Sequence, residues 1–274
     1  HPSMRYVSRL ADMLGAEEFN KGIGGEYFVP ELAKLTEKYI PDYITVAYGT
    51  NDWSKKTREE FLEQMLSAGD IAAIVYSNPN NPAWICLEDE ELKIIGELAT
   101  KYDVIVMEDL AYFCMDFRHD LGHPFVPPFA PTVARYTDNY ILMLSSSKIF
   151  SYAGQRMALI CISDKLFERH YPALAERYHD AGVFGQTLVA SILYVITSGC
   201  TASTQYAYAE MLRLSTEGEI NFVEDTREYA VRAERMKKIF TDNGFHIVYD
   251  HDVTEDVGDG FFFTIGYPGL SGGA

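Results

Sequence analysis

The 274-residue chain is 47% hydrophobic and 14% aromatic, enough apolar material for one large or two small packed domains. Its formal charge of −17 is spread along the sequence, and no run of Lys or Arg is long enough to grip a phosphate backbone, so nucleic acid is excluded as the expected partner. Apolar stretches such as 71–76 and 140–144 are strand-sized, far short of the ~20 residues a membrane helix needs, and no signal-peptide pattern opens the sequence.

The first 68 residues alternate helix and strand: an amphipathic stretch over 4–14, a Gly-rich turn over 22–25, a helix over 30–40 and a strand over 43–48. Pro30 suits a first helical turn, where no N–H is lost, and Pro41 stops the helix by excluding the helical conformation before it. From residue 70 the pattern restarts with a strand (71–76), a turn (78–82), a helix (87–102), a strand (104–108) and a Pro-rich loop to 132, followed by strands over 140–144 and 157–162. Short apolar strands without polar alternation, each followed by a helix or long connection, predict an α/β fold: a mostly parallel sheet flanked by helices and buried on both faces. Ligands of such sheets sit beyond the C-terminal strand ends.

After Ser163 the chain turns helical. Phe222, Thr226, Tyr229, Ala230, Ala233, Met236 and Phe240 recur at three-to-four spacing and predict one long amphipathic helix, which Gly244 ends. Strands over 246–249 and 261–265 then open a smaller α+β domain, which the chain leaves before it could close. The expected division is 1–68, 69–240 and 241–274. Cys86, Cys114, Cys161 and Cys200 are widely separated, show no metal-ligand spacing and read as reduced, buried small hydrophobes of a cytoplasmic protein.

Polar residues follow three of the apolar strands: Asn78-Pro-Asn-Asn-Pro82, Glu108-Asp109-Leu-Ala-Tyr112 and Ser145-Ser-Ser-Lys148. A cofactor that handles amino acids needs an amine for its aldehyde, an anion for its ring nitrogen, a donor for its ring oxygen and a cradle for its phosphate. Lys148 is the candidate amine, and the close Arg156 would favour its neutral form. Asp109 ends an apolar strand, where an unpaired carboxylate is expensive and a buried cation is wanted. Tyr112 offers a phenol, and the Ser145 hydroxyl with the Arg156 fork matches phosphate oxygens.

The N-P-x-N-P turn, the D-x-x-Y strand end and S-x-S-K followed by G-x-R resemble, in order, the motifs of fold-type I, class I/II pyridoxal-phosphate-dependent aminotransferases. The resemblance covers residues 69–274 and implies the major domain of that fold, with Lys148 as Schiff-base lysine and proton shuttle. It further implies Asp109 on the pyridine nitrogen, Asn81 and Tyr112 on the ring oxygen, and Ser145 and Arg156 on the phosphate. Pyridoxal 5'-phosphate is then the cofactor, an amino acid and a 2-oxo acid are the substrates, and a homodimer is the assembly. One departure is local: the family continues N-P-T-G where this chain has Pro82-Ala83-Trp84.

The family's Gly-rich phosphate loop and ring-stacking aromatic are not found before Gly69, and its arginine for the substrate α-carboxylate is expected beyond Ala274. Instead, 20–26 and 42–52 resemble two blocks of SGNH (GDSL-type) hydrolases, which implies Gly25 and Asn51 as oxyanion donors. That family's nucleophilic serine has no counterpart upstream, and Asp120-Leu-Gly-His123-Pro124, which matches its last block, reads as coincidence. The leading expectation is an aminotransferase or an incomplete form of one. The alternatives are a hybrid scaffold that is non-catalytic or only binds cofactor, and an SGNH-type esterase.

Overall fold

The computed structural model describes residues 58–67, 71–252, 255–257 and 260–270. The elements expected over 4–14, 30–40 and 43–48, and the hydrolase-like Gly25 and Asn51, lie outside these residues. The chain divides into two compact units, residues 1–71 and 72–274. In the first, helix α1 (Arg58–Ser67) is described, with Glu59 and Glu60 placed in its first turn, where the helix dipole favours negative charge.

The second unit is built on a four-stranded sheet of β1 (Ala73–Ser77), β2 (Ile105–Leu110), β3 (Tyr140–Ser145) and β4 (Ala158–Ile162), in that spatial order. The first three are parallel and β4 runs antiparallel to β3. The sheet is therefore mostly parallel, as the strand and helix alternation predicts. Its burial is not uniform. Val106, Glu108 and Leu110 of β2 are buried, whereas Val75 on β1 and Leu159 and Ile160 on β4 are exposed. The expectation of burial on both faces therefore fails at β1 and β4, which among the described residues are the edge strands of the sheet.

Helix α2 (Asp89–Tyr102) connects β1 to β2, and its start is written locally. The Glu88 N–H donates to the Glu91 carboxylate at 2.8 Å, and Asp89, Glu90 and Glu91 fill the first turn. Leu92, Ile95, Leu98 and Ala99 form its buried stripe. Gly96 lies on that stripe because a Cβ there would stand 2.6 Å from Tyr136 Cβ, so no larger residue fits between α2 and the segment before β3. At the C-terminus Asp103 takes the left-handed conformation (φ 54°) and turns the chain into β2.

The expected long helix over 222–240 is two helices, Phe222–Thr226 and Glu228–Asp242, meeting at Arg227. Asn221 caps the first by accepting from the Glu224 N–H at 3.1 Å. Of the two strands expected near the C-terminus, short pieces pair: His246 opposite Gly266 and Ile247 opposite Ile265. Phe261 and Phe262 are not strand residues; their rings are committed to a cluster described below. Cys86 is buried as expected, but Cys161 and Cys200 are exposed, a correction to the reading of all four as core residues.

Candidate active site

In the sheet register Ser77, Asp109 and Met143 stand side by side, so the polar segments after β1, β2 and β3 leave from one edge, the C-terminal edge of the parallel strands. The first segment is stitched to the second at its root, where the Asn78 N–H donates to the Asp109 carbonyl at 3.0 Å. The turn then closes on itself: Asn80 N–H to the Ile85 carbonyl at 2.8 Å, and Trp84 N–H to the Asn80 carbonyl at 2.9 Å. Trp84 stands where the resembled family has glycine, and its φ of 61° keeps the left-handed backbone that glycine serves. The side chain is retained because it is buried in a cluster with Cys86, Tyr112 and Met115, against which Phe117, Tyr229, Phe261 and Phe262 pack.

Asn81 projects from this turn, and its Nδ2 donates to the Tyr112 hydroxyl at 3.4 Å. Burial foremost, and the Asp109 carboxylate after it, push the Tyr112 phenol above its ordinary range against the opposing bond from Asn81, so the hydroxyl is protonated at neutral pH. Asp109 accepts the Ala111 N–H through Oδ1 at 3.0 Å, and among the described residues its carboxylate has no cationic partner.

Lys148 belongs to the one-turn helix α3 (Ser146–Ile149) that leaves β3. Ser145 caps it by accepting the Ser147 N–H at 3.1 Å, and the buried Ser146 hydroxyl donates to the Met157 carbonyl at 2.7 Å, which fixes the turn against the start of β4. Lys148 is half-buried, and its Nζ lies over the Phe261 ring, 5.3 Å from the centroid. Among the described residues it forms no ion pair. The Phe261 centroid is in turn 5.7 Å from that of Tyr112.

The structure thus brings Asn81 and Tyr112 together directly, and Lys148 and Tyr112 through Phe261. It does not bring Ser145 to Arg156. Arg156 is exposed, left-handed (φ 53°) and donates through Nη1 to the Ala153 carbonyl at 2.8 Å. Asp120 and His123 serve the fold: Asp120 pairs with Arg227 at 2.6 Å, and the His123 ring meets Asn221 Nδ2 at 2.8 Å. A cavity of about 730 Å³ lies at the opposite ends of the strands, lined by Asp103, Asn139, Lys165 and Arg169 among others. Two of its cations are paired locally, Arg169 with Asp103 and Lys165 with Asp138, and none of the candidate cofactor residues lines it.

Sequence reasoning missed three residues here. Glu108 is fully buried beside Asp109, and strand alternation inward at Val104, Val106, Glu108 and Leu110 is the signal that could have found it. Trp84 and Phe261 carry no local signal, because their roles exist only once distant segments meet.

The sequence profile described as aminotransferase class I and II matches residues 44–254. Bovine kynurenine/alpha-aminoadipate aminotransferase, a mitochondrial protein, is 33% identical over 119 residues, 43% of this chain and 26% of the relative. Glutamate-pyruvate aminotransferase of Escherichia coli is 33% identical over 116 residues, 42% of this chain and 26% of the relative. The chain therefore spans about a quarter of the length of these relatives. A single mutant of Thermus thermophilus aspartate aminotransferase superposes with TM-score 0.50 at 20% identity, covering 69% of this chain and 43% of that one, a likeness of fold. The family match begins inside the segment that resembles hydrolases and takes in residues 44–68, and nothing in the described residues supports a hydrolase.

Proposed function

Because the chain belongs to the class I and II aminotransferase family, we propose that it transfers amino groups between an amino acid and a 2-oxo acid with pyridoxal 5'-phosphate as cofactor. The observation that carries the reading is Lys148. Lys148 is half-buried, its Nζ lies over the Phe261 ring, and among the described residues it is spent on no ion pair, which leaves the amine available to a carbonyl group.

Four of the six candidate residues fit the cofactor as they stand. The open Asp109 carboxylate suits a ring nitrogen, the Tyr112 hydroxyl and Asn81 amide suit a ring oxygen, and Lys148 supplies the amine. Ser145 and Arg156 are the proposed phosphate residues, and both would exchange their present local bonds for phosphate oxygens. When bound, pyridoxal phosphate supplies a carbonyl that condenses with amines and a protonated ring that draws electrons from the substrate α-carbon. The protein's part is positional. Lys148 Nζ would accept the α-proton and return it, Asp109 would hold the proton of the ring nitrogen, and Tyr112 with Asn81 would hold the ring oxygen. The aromatic cluster of Trp84, Tyr112, Phe261 and Phe262 packs beside these residues and would limit the access of water to them.

The domain division at residues 68 and 240, the homodimer and the cytoplasmic location belong to the same proposal. Among the described residues no helix is long and apolar enough to cross a membrane. The test is 2-oxo acid formation from a panel of amino acids with pyridoxal phosphate and an acceptor 2-oxo acid supplied. Product that requires Lys148 supports the reading, and its absence from every amino acid removes it.

A further inference from the structure

Beside the candidate cofactor residues, on the other side of the same strand, lies a carboxylate that the proposed chemistry does not use. Glu108 is 0% exposed. Its Oε1 accepts from Asn78 Nδ2 at 3.2 Å and its Oε2 accepts from the Val133 N–H at 3.0 Å. Asn78 cannot simply turn its amide over, because its Oδ1 is already held by the Leu87 N–H at 2.9 Å. Both neighbours of Glu108 are therefore donors whose orientation is fixed, and both oxygens must accept. An ionised carboxylate meets that demand, while an amide of the same shape meets half of it. The buried Tyr76 hydroxyl faces the same carboxylate, and burial with the Glu108 charge pushes its phenol above the ordinary range, so it stays protonated and adds to the donors; burial raises the Glu108 carboxyl, while Val133, Asn78 and Tyr76 act to hold it down.

The three segments that meet on Glu108 are those that bound the site. Asn78 opens the turn that presents Asn81, Val133 ends the long loop after Tyr112, and Glu108 directly precedes Asp109. We propose that Glu108 is a positioning residue: its carboxylate locks the root of the 78–85 turn to β2 and so holds the Asn81 amide on the Tyr112 hydroxyl. The inference rests on the proposed function where it concerns the cofactor and on geometry alone where it concerns the turn.

The carboxylate requirement makes an exchange possible. In Glu108→Gln one buried donor faces another. In Asn78→Asp two carboxylates face each other. In the double variant Glu108→Gln/Asn78→Asp the glutamine accepts from Val133 and donates to the new aspartate, whose second oxygen still accepts from Leu87. Two readouts are taken on the wild type, both single variants and the double variant. The first is amide hydrogen exchange over 78–87 and at Val133 without cofactor. The second is the pH midpoint of the visible band formed with pyridoxal phosphate. Glu108→Gln is expected to speed exchange in that segment at least tenfold and to raise the band's midpoint by about one unit, because loosened donors stabilise an anionic ring oxygen less. The double variant is expected to return both toward wild type. Unchanged exchange in Glu108→Gln, or an exchange defect that the double variant leaves in place, overturns the positioning role. A restored exchange pattern with an unmoved midpoint overturns its extension to Asn81 and Tyr112. If the wild type forms no band at all, the cofactor reading fails and the exchange data alone decide the role of Glu108.

Discussion

The packing of residues 260–262 on Trp84 can be tested by making one contact impossible and then removing its partner. A Cβ at Gly260 would stand 2.0 Å from Trp84 Cε2 and Nε1 and 2.3 Å from Cζ2. Trp84 is 1% exposed and lies within 6.5 Å, centroid to centroid, of the rings of Tyr112, Phe117, Phe261 and Phe262, so it has nowhere to move. Gly260→Ala should therefore reach the upper end of the overpacking range, about 3 kcal/mol. Trp84→Ala leaves a cavity worth roughly 3–5 kcal/mol. It also removes the buried indole Nε1, which has no hydrogen-bond partner, a gain of about 1–3 kcal/mol that brings the net loss to roughly 0–4 kcal/mol, centred on about 2 kcal/mol. With the indole gone the alanine methyl enters empty space, so the double variant should cost little more than Trp84→Ala alone, a coupling of about 2–3 kcal/mol. Urea unfolding followed by far-ultraviolet circular dichroism measures all four chains at a common slope. If the two single costs add to within about 0.5 kcal/mol, the 260–262 segment does not sit on Trp84 and the enclosure of Lys148 by Phe261 loses its basis.

Phe261→Ala uncovers the Lys148 amine, and reductive methylation of Lys148 without cofactor, followed by peptide mass spectrometry, should run several-fold faster than in wild type; equal rates would mean that the ring does not cover it. Ser163→Ala removes an N-cap that accepts the Leu166 N–H at 3.0 Å and donates to the Asp138 carbonyl, and should lower stability by about 1–2 kcal/mol in urea titration. The Arg169 fork, through its hydrogen bonds first, holds the Asp103 carboxyl below the usual carboxylate range. Its contribution is therefore full above the ordinary aspartate pKa and is lost as pH falls through the lowered one. Asp103→Asn should cost at most ~1 kcal/mol at neutral pH, with the difference from wild type closing on the acid limb of a stability series.

The parallel strands were legible because each is a short apolar run ending in polar residues, and their bounds move by only a few residues between expectation and structure. Asn81, Asp109, Tyr112 and Lys148 stand out in the sequence as candidates for a related reason: polar groups at the ends of buried strands are expensive unless something uses them. What could not be read depends on long-range meeting. Phe261 and Phe262 have the aromatic run of a strand, yet their rings are taken by Trp84 and Tyr112, more than 140 residues away in sequence. The missing glycine after Asn81 was visible, but not that Trp84 would keep the left-handed backbone and repay it with burial. Glu108 was hidden by its neighbour: two adjacent acids point to opposite faces of a strand, and chemistry drew attention to Asp109 while the fully buried partner network formed around the other.

Lys148 is the proposed cofactor-binding amine of an aminotransferase site. The most direct measurement is the absorbance spectrum of the purified chain with pyridoxal phosphate, beside Lys148→Ala and beside Lys165→Ala as a control at the opposite ends of the strands. A visible band is expected in the wild type and in Lys165→Ala, one that borohydride fixes onto the Lys148 peptide and that Lys148→Ala abolishes. A band that survives Lys148→Ala, or no band in the wild type, would contradict it.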